Sequence, residues 1–299
     1  MIALSLFLLI LAAFLVWRAR WRGHVERAAL ARRPTGADGL VPGAGAIVLP
    51  DAPSGDAVLL LHGFGDTPQT LAGLAAVLHA RGYAVYAPLL PGHGRTLAEF
   101  RRSRATEWIA AARDALDETC ARHARVGVVG LSMGGALAAI LAAERRDIAA
   151  LALLAPYLEP PPGVRWLARL APLAGLLLPY LSSDDTRSIH DPAERARALG
   201  YGATTPRLIA ELVTVAEMAR AGLARVRAPS LYVQSREDNR LGPAGAARAF
   251  DALGAPEKRL EWVEGCGHVI TVDYQRDRVA ALVLAWMDGR VRREYASVG

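Results

Sequence analysis

The sequence predicts an α/β fold: a mostly parallel sheet with helices on both faces and a helical cap, preceded by an N-terminal apolar helix. Three observations predict it. From about Gly45 onward, short apolar runs alternate with helix-length stretches. Between Pro156 and Pro229 the alternation stops, and two helical patterns stand without a strand. Ahead of both, residues 2–17 form an uncharged apolar run. At 299 residues, 53% hydrophobic and 21% charged, the chain is long and apolar enough to bury a full core.

The first element is "IALSLFLLILAAFLVW", Ile2–Trp17. As a helix it spans about 24 Å at 1.5 Å per residue, against a hydrocarbon core of about 30 Å. Arginines that snorkel, and Trp17 and Trp21 at the interface, make up the difference. The sequence therefore predicts a membrane anchor helix over residues 1–22, then a basic segment and linker over 23–45. A cleaved signal peptide is the competing reading. It lacks a basic stretch before the apolar run, and the nearest A-x-A, Ala29-Leu30-Ala31, lies beyond several arginines. Because the arginines follow the run, the positive-inside rule puts the rest of the chain in the cytoplasm.

The same segment explains the net charge of +6. Residues 1–33 hold six arginines (Arg18, Arg20, Arg22, Arg27, Arg32 and Arg33) against Glu26, which accounts for five of the six charges. The rest of the chain is nearly neutral, so nucleic-acid binding has little electrostatic support. Two cysteines, Cys120 and Cys266, with no C-x-x-C pair, exclude a disulfide framework and a structural zinc site.

The body of the chain, residues 46–290, reads as one domain with a cap at about 157–227, followed by a tail at 291–299. Buried strands are expected at Ala57–Leu61, Tyr83–Ala87, Arg125–Val129, Ala150–Leu154, Ser230–Gln234 and Arg259–Val263. Helices are expected at Thr70–Arg81, Thr106–Arg122, Gly135–Arg145 and Ala244–Leu253. Near-continuous apolar strands separated by helices imply a parallel sheet covered on both faces. In the cap, Val164–Leu181 and Pro206–Leu223 read as helices.

The chemistry enters at "RVGVVGLSMGGALAAI", Arg125–Ile140. Gly130-Leu131-Ser132-Met133-Gly134 fits G-x-S-x-G, a pattern chance places in roughly a tenth of chains this long. Its context is more telling. Ser132 follows a strand and precedes a helix, as a nucleophile elbow requires. A serine hydroxyl needs a base, and the base an orienting acid, in the chain order Ser, Asp/Glu, His. "VQSREDNRLGP" puts acids just after a late strand, and "VEGCGHVITVD" puts His268 just after the next. His268 is the expected base and Asp238 the expected acid, with Glu237 its rival. The backbone N–H groups of Phe64, after the strand in "LLLHGFGDTP", and of Met133 are the expected oxyanion donors. His93 in "PGHG" is expected to shape a turn at the pocket rim, and His24, His79, His123 and His190 carry no motif.

At these residues the chain resembles the α/β-hydrolase superfamily, and within it the bacterial carboxylesterase/monoacylglycerol lipase branch. The resemblance lies in "LLLHGFGDTPQTL", "RGYAVYAPLLPGHG", "VGLSMGGALA", "APSLYVQSREDN" and "GHVITVD", in that order, across most of residues 57–290. It implies a mostly parallel sheet with a helical cap and an acyl-enzyme mechanism through Ser132, Asp238 and His268. It also implies oxyanion donors at Phe64 and Met133, and no metal or organic cofactor. The expected partner is a small-molecule or lipid ester, such as a monoacylglycerol or another ester of short to medium acyl chain. Acyl transfer to an alcohol and thioester cleavage need only a different acceptor or leaving group. A membrane-anchored binding protein on the same fold is the non-enzymatic alternative, and it predicts a broken triad.

Overall fold

The computed structural model describes residues 2–52, 55–183 and 186–291. The expected tail lies outside the described residues beyond Val291.

Helix α1 spans Ile2–Arg32. It runs straight through the basic segment that the sequence reading assigns to a linker from residue 23. Alanine and arginine between Trp17 and Arg32 favour helix, and the chain leaves it only ahead of Pro34. Its first half projects from the body with exposed apolar side chains, and Ala29 in its last turn is buried. Residues 34–45 are not a free tether either: Val41 and Ala44 are buried, and Val41 N–H donates to Gly94 O at 2.8 Å.

The sheet opens with β1 (Ile47–Leu49) and β2 (Asp56–Leu61), followed by α2 (Ala72–Ala80) and β3 (Ala84–Ala87). Helices α3 (Leu97–Phe100) and α4 (Ala105–Arg122) lead to β4 (Arg125–Leu131), α5 (Met133–Glu144) and β5 (Ile148–Leu154). The insertion then holds α6 (Pro162–Arg169), α7 (Ala171–Leu177), β6 (Leu181–Ser182), α8 (Pro192–Arg197), β7 (Ala203–Thr204) and α9 (Pro206–Gly222). The chain closes with β8 (Ser230–Ser235), α10 (Pro243–Asp251), β9 (Lys258–Val263) and α11 (Arg276–Asp288). Among the described residues the main sheet has seven strands in the order β1-β3-β2-β4-β5-β8-β9, and only β1 runs antiparallel to its neighbour.

Alternation within the apolar runs explains both covered faces. In β2, Ala57, Leu59 and Leu61 belong to one buried layer, while Val58 and Leu60 belong to the other. The first layer includes buried residues of α4, α5 and α9, and the second includes those of α2 and α11. A strand buried on both sides has no polar face to show, so its sequence does not alternate.

The insertion differs from its expectation in two ways. The predicted single helix Val164–Leu181 is broken at Leu170, because Pro172 has no N–H for the ladder and its ring clashes with the preceding turn. It also has strands of its own: β6 and β7 pair antiparallel, Leu181 with Thr204 and Ser182 with Ala203. Helix α9 matches its pattern and packs on α5 so closely that a Cβ on Gly222 would press on Ala143.

Candidate active site

Four loops that leave parallel strands meet at the carboxyl edge of the sheet, where open α/β sheets place their ligand sites. They follow β2, β4, β8 and β9 and bring in Gly63–Phe64, Ser132, Asp238 and His268.

Ser132 sits between β4 and α5 with φ 55° and ψ −115°, a conformation that strains any residue bearing a Cβ. Close approach of backbone to backbone holds it there. A Cβ on Gly130 would overlap the Gly134 carbonyl, and one on Gly134 would overlap the Leu61 carbonyl. Only glycine lets α5 start this near the sheet. The Ser132 N–H donates to Leu154 O and its carbonyl accepts from Tyr157 N–H, both at 2.9 Å.

The Ser132 Oγ lies 2.7 Å from His268 Nε2, and His268 Nδ1 lies 2.7 Å from Asp238 Oδ2. A carboxylate only accepts, so Nδ1 carries the proton toward Asp238 and Nε2 faces the serine hydroxyl as acceptor. Asp238 and His268 are 8% and 7% exposed. Burial would lift the Asp238 carboxyl, but the charge and hydrogen bond of His268 and the N–H groups of Arg240 and Leu241 outweigh it. The carboxyl is held below its usual range. Glu237, the rival acid, turns away: its carboxylate accepts from Gly265 N–H at 2.7 Å and lies 3.7 Å from His190 Nδ1.

The β2 loop passes beside the serine, and a Cβ on Gly63 would stand 3.5 Å from Ser132 Cβ. Met133, the first residue of α5, is among the helix positions whose N–H has no intrahelical acceptor.

Three residues with no role in the sequence reading shape these loops. His62 is fully buried; Nδ1 meets Gly63 O at 2.9 Å and Nε2 accepts from Leu90 N–H at 3.0 Å. Burial, opposed by the Gly63 carbonyl, brings its pKa down to about 4, so it is a neutral bridge between two loops. Asp66 lies close by and accepts from the Thr70 hydroxyl at 2.6 Å. Burial raises its pKa to about 6, against hydrogen bonds from Thr70, Thr67 and Gly63 and the charge of His268. Asp273, the last residue of the "HVITVD" run, is fully buried. Its carboxylate accepts from Gly267 N–H at 2.7 Å and from His190 and Asp191 N–H at 2.8 and 2.9 Å. It staples the His268 loop to the insertion. A loop acid that caps three distant N–H groups leaves no periodic signal in sequence. His93 is not at a rim: it is fully buried, 5.0 Å from His62 ring to ring, against Phe100 and Trp108.

A hydroxyl hydrogen-bonded to an imidazole that a carboxylate orients can give up its proton as it attacks a carbonyl carbon. The elbow, the sheet topology and the insertion together define an α/β-hydrolase. A family model described as serine aminopeptidase, S33 (Hydrolase_4) matches residues 52–275, and the chain belongs to that family. It is a lipase/esterase-like hydrolase. A thermostable monoacylglycerol lipase of Bacillus sp. (strain H-257) is 29% identical over 222 residues, covering 74% of this chain and 86% of that protein. A carboxylesterase of Bacillus subtilis (strain 168) is 25% identical over 225 residues, covering 75% and 88%. Among solved structures, one of the metagenome-derived lipolytic enzymes LipS and LipT superposes with a TM-score of 0.76 at 30% identity, covering 84% of this chain and all of that one. The monoacylglycerol lipase of Paleococcus ferrophilus shares the fold with a TM-score of 0.71 at 23% identity, covering 82% and 98%.

Proposed function

We propose that the protein hydrolyses monoacylglycerol-like carboxylic esters at a membrane surface through an acyl-enzyme. His268 Nε2 takes the Ser132 proton as Oγ attacks the ester carbonyl. Asp238 steadies the imidazolium, and the Phe64 and Met133 N–H groups receive the developing oxyanion. His268 then returns the proton to the leaving alcohol. In the second half it takes a proton from water, whose oxygen attacks the acyl carbon and releases Ser132 with its hydrogen restored. The observation that carries the reading is the unbroken row of 2.7 Å hydrogen bonds from Ser132 through His268 to Asp238. The names of the two Bacillus relatives favour an ester over an amide bond.

The membrane part of the proposal is supported by the uncovered apolar half of α1 and by the cap. Trp166, Leu173 and Leu177 on α6 and α7 are 61%, 65% and 60% exposed. Arg18 Nη2 donates to Gly175 O at 2.5 Å, which ties α1 to α7. On this reading the anchor and the apolar cap face act as one unit, and the arginines that follow the apolar run put the body on the cytoplasmic side.

Treatment with a fluorophosphonate probe tests the chemistry: the adduct is expected on Ser132, in a protein that hydrolyses monoacylglycerols. Labelling elsewhere, or an ester panel without turnover, would sink the reading. Carbonate washing of membranes tests the anchor separately, because an anchored protein stays in the pellet.

A further inference from the structure

We propose that the cavity between α1 and the cap binds the phosphate of an anionic membrane phospholipid. The inference rests on the reading of α1 as a membrane anchor. The cavity holds about 640 Å³ and contains none of Ser132, Asp238 or His268. Six arginines line it: Arg18 and Arg22 from α1, Arg101 and Arg104 from the turn before α4, Arg169 from the end of α6 and Arg207 from the start of α9. Glu211 is the one carboxylate among the lining residues.

That charge is only partly answered within the protein. Arg104 and Arg207 share Glu211 at 3.4 and 3.5 Å, and Arg101 reaches Glu26 at 3.3 Å. Arg169 lies over the Trp166 ring at 5.6 Å. Among the described residues, Arg18 Nε and Arg207 Nε are buried without any acceptor. Buried donors are almost always paired, and here two side chains that line the same cavity, Arg18 from α1 and Arg207 from α9, each keep a buried N–H without an acceptor, which points to an anion among these guanidinium groups.

Phosphate suits the arrangement better than a carboxylate. Its oxygens take several guanidinium forks at once, whereas the two oxygens of a fatty acid would leave most of them unmet. The surroundings favour a lipid source. Arg18 and Arg22 stand where the apolar half of α1 gives way to its basic half, beside Trp17 and Trp21, whose rings are 5.2 Å apart. Tryptophan and arginine at that position mark the headgroup level of a bilayer. Leu176, Leu178 and Pro179 supply an apolar wall to the same cavity for the root of the acyl chains. Six arginines against one carboxylate repel a choline ammonium and select a headgroup of net negative charge. A lipid seated there touches α1, α6 and α9 together and clamps the cap to the anchor.

The test uses the full chain in nanodiscs of phosphatidylcholine, with or without phosphatidylglycerol. Phosphatidylglycerol is expected to raise the melting temperature by about 5 °C, as a ligand that binds only the folded state does. Arg18→Gln with Arg207→Gln should abolish the rise, while Arg122→Gln with Arg278→Gln, an equal charge change on exposed surface, should keep it. Circular dichroism and melting without phosphatidylglycerol establish that each variant is folded. An equal loss in both pairs would mean general surface attraction and would overturn the site. The same rise with inorganic phosphate or glycerol phosphate in detergent would overturn the lipid source. No rise from either ligand, in a protein that stays with carbonate-washed membranes, would overturn the inference and leave the anchor reading standing. Release from those membranes would remove the anchor reading, and this inference with it.

Discussion

The edge of the sheet and the junction of α1 with the cap are built on opposite terms. At the edge, backbone is pressed on backbone, and Ser132, His268, Asp238, His62, Asp66 and Asp273 each meet a partner within 2.9 Å. Ser132 can occupy only one place, because Gly130 and Gly134 leave no room for another path of the chain. At the junction several apolar side chains of α6 and α7 are exposed, and the ties include the Tyr180 hydroxyl on Glu26 at 2.8 Å and arginines reaching backbone carbonyls. Arg18 meets Gly175 O, Arg32 meets Tyr201 O at 3.1 Å, and Arg33 meets Ala198 O and Gly200 O. The difference is one of geometric tolerance. Bond cleavage needs atoms held within a fraction of an ångström, whereas taking up a lipid from a surface needs only an apolar face at the right depth.

Substitutions at the two places should therefore differ by orders of magnitude. Ser132→Ala and His268→Ala are each expected to lower kcat for a soluble ester by about 10⁴-fold or more. Asp238→Asn should be similar or milder, and Glu237→Gln close to neutral. A Glu237→Gln enzyme as dead as Ser132→Ala would exchange the roles of the two acids.

One step out from the row, His62→Ala breaks the bridge between Gly63 O and Leu90 N–H. It should reduce kcat about 10-fold with little change in KM, because the loop beside the serine loses its fixed position. A change in KM alone would place His62 outside the chemistry.

Asp66 is a softer probe of the same edge. In the folded chain its carboxyl keeps a proton up to about pH 6, whereas the unfolded chain releases it near the ordinary value of 3.8. Between those values the folded state binds more protons, so this group's contribution to stability is lost as pH rises toward 6 and beyond. Asp66→Asn should remove that loss and stabilise the protein at neutral pH by about 1–2 kcal/mol, read from urea unfolding. An Asp66→Asn protein no more stable than the parent at neutral pH would overturn the raised carboxyl.

The smallest effect is expected at the junction. Leu176→Ser with Leu177→Ser should leave soluble-ester turnover unchanged and slow hydrolysis of bilayer-embedded monoacylglycerol about threefold, for want of apolar contact area. Deleting residues 2–17 should do the same more strongly, since the contacts of Arg18, Arg32 and Arg33 with the cap survive. If both substrates suffer alike, the two regions are not separable and the contrast drawn above fails.

The sheet, its flanking helices and the residues that meet at its edge were legible in the sequence. Apolar runs of strand length and the glycines around Ser132 are local signals with a fixed physical meaning: a strand buried on two faces must be apolar throughout, and a chain that turns within a residue of a helix start must shed its Cβ atoms. The order of Ser132, Asp238 and His268 along successive strand ends did the rest, because parallel strands deliver their loops to one edge. Tertiary structure alone decided what depends on distant partners. It turned Glu237 away and Asp238 inward, gave His62 and Asp273 their stapling positions, and broke the first cap helix at Leu170. It carried α1 through its arginines onto the cap and left α6 and α7 uncovered while burying α9 on α5. A hydrophobic stripe records only that a face must leave water; whether protein or lipid covers it is settled by what lies within reach once the chain has folded.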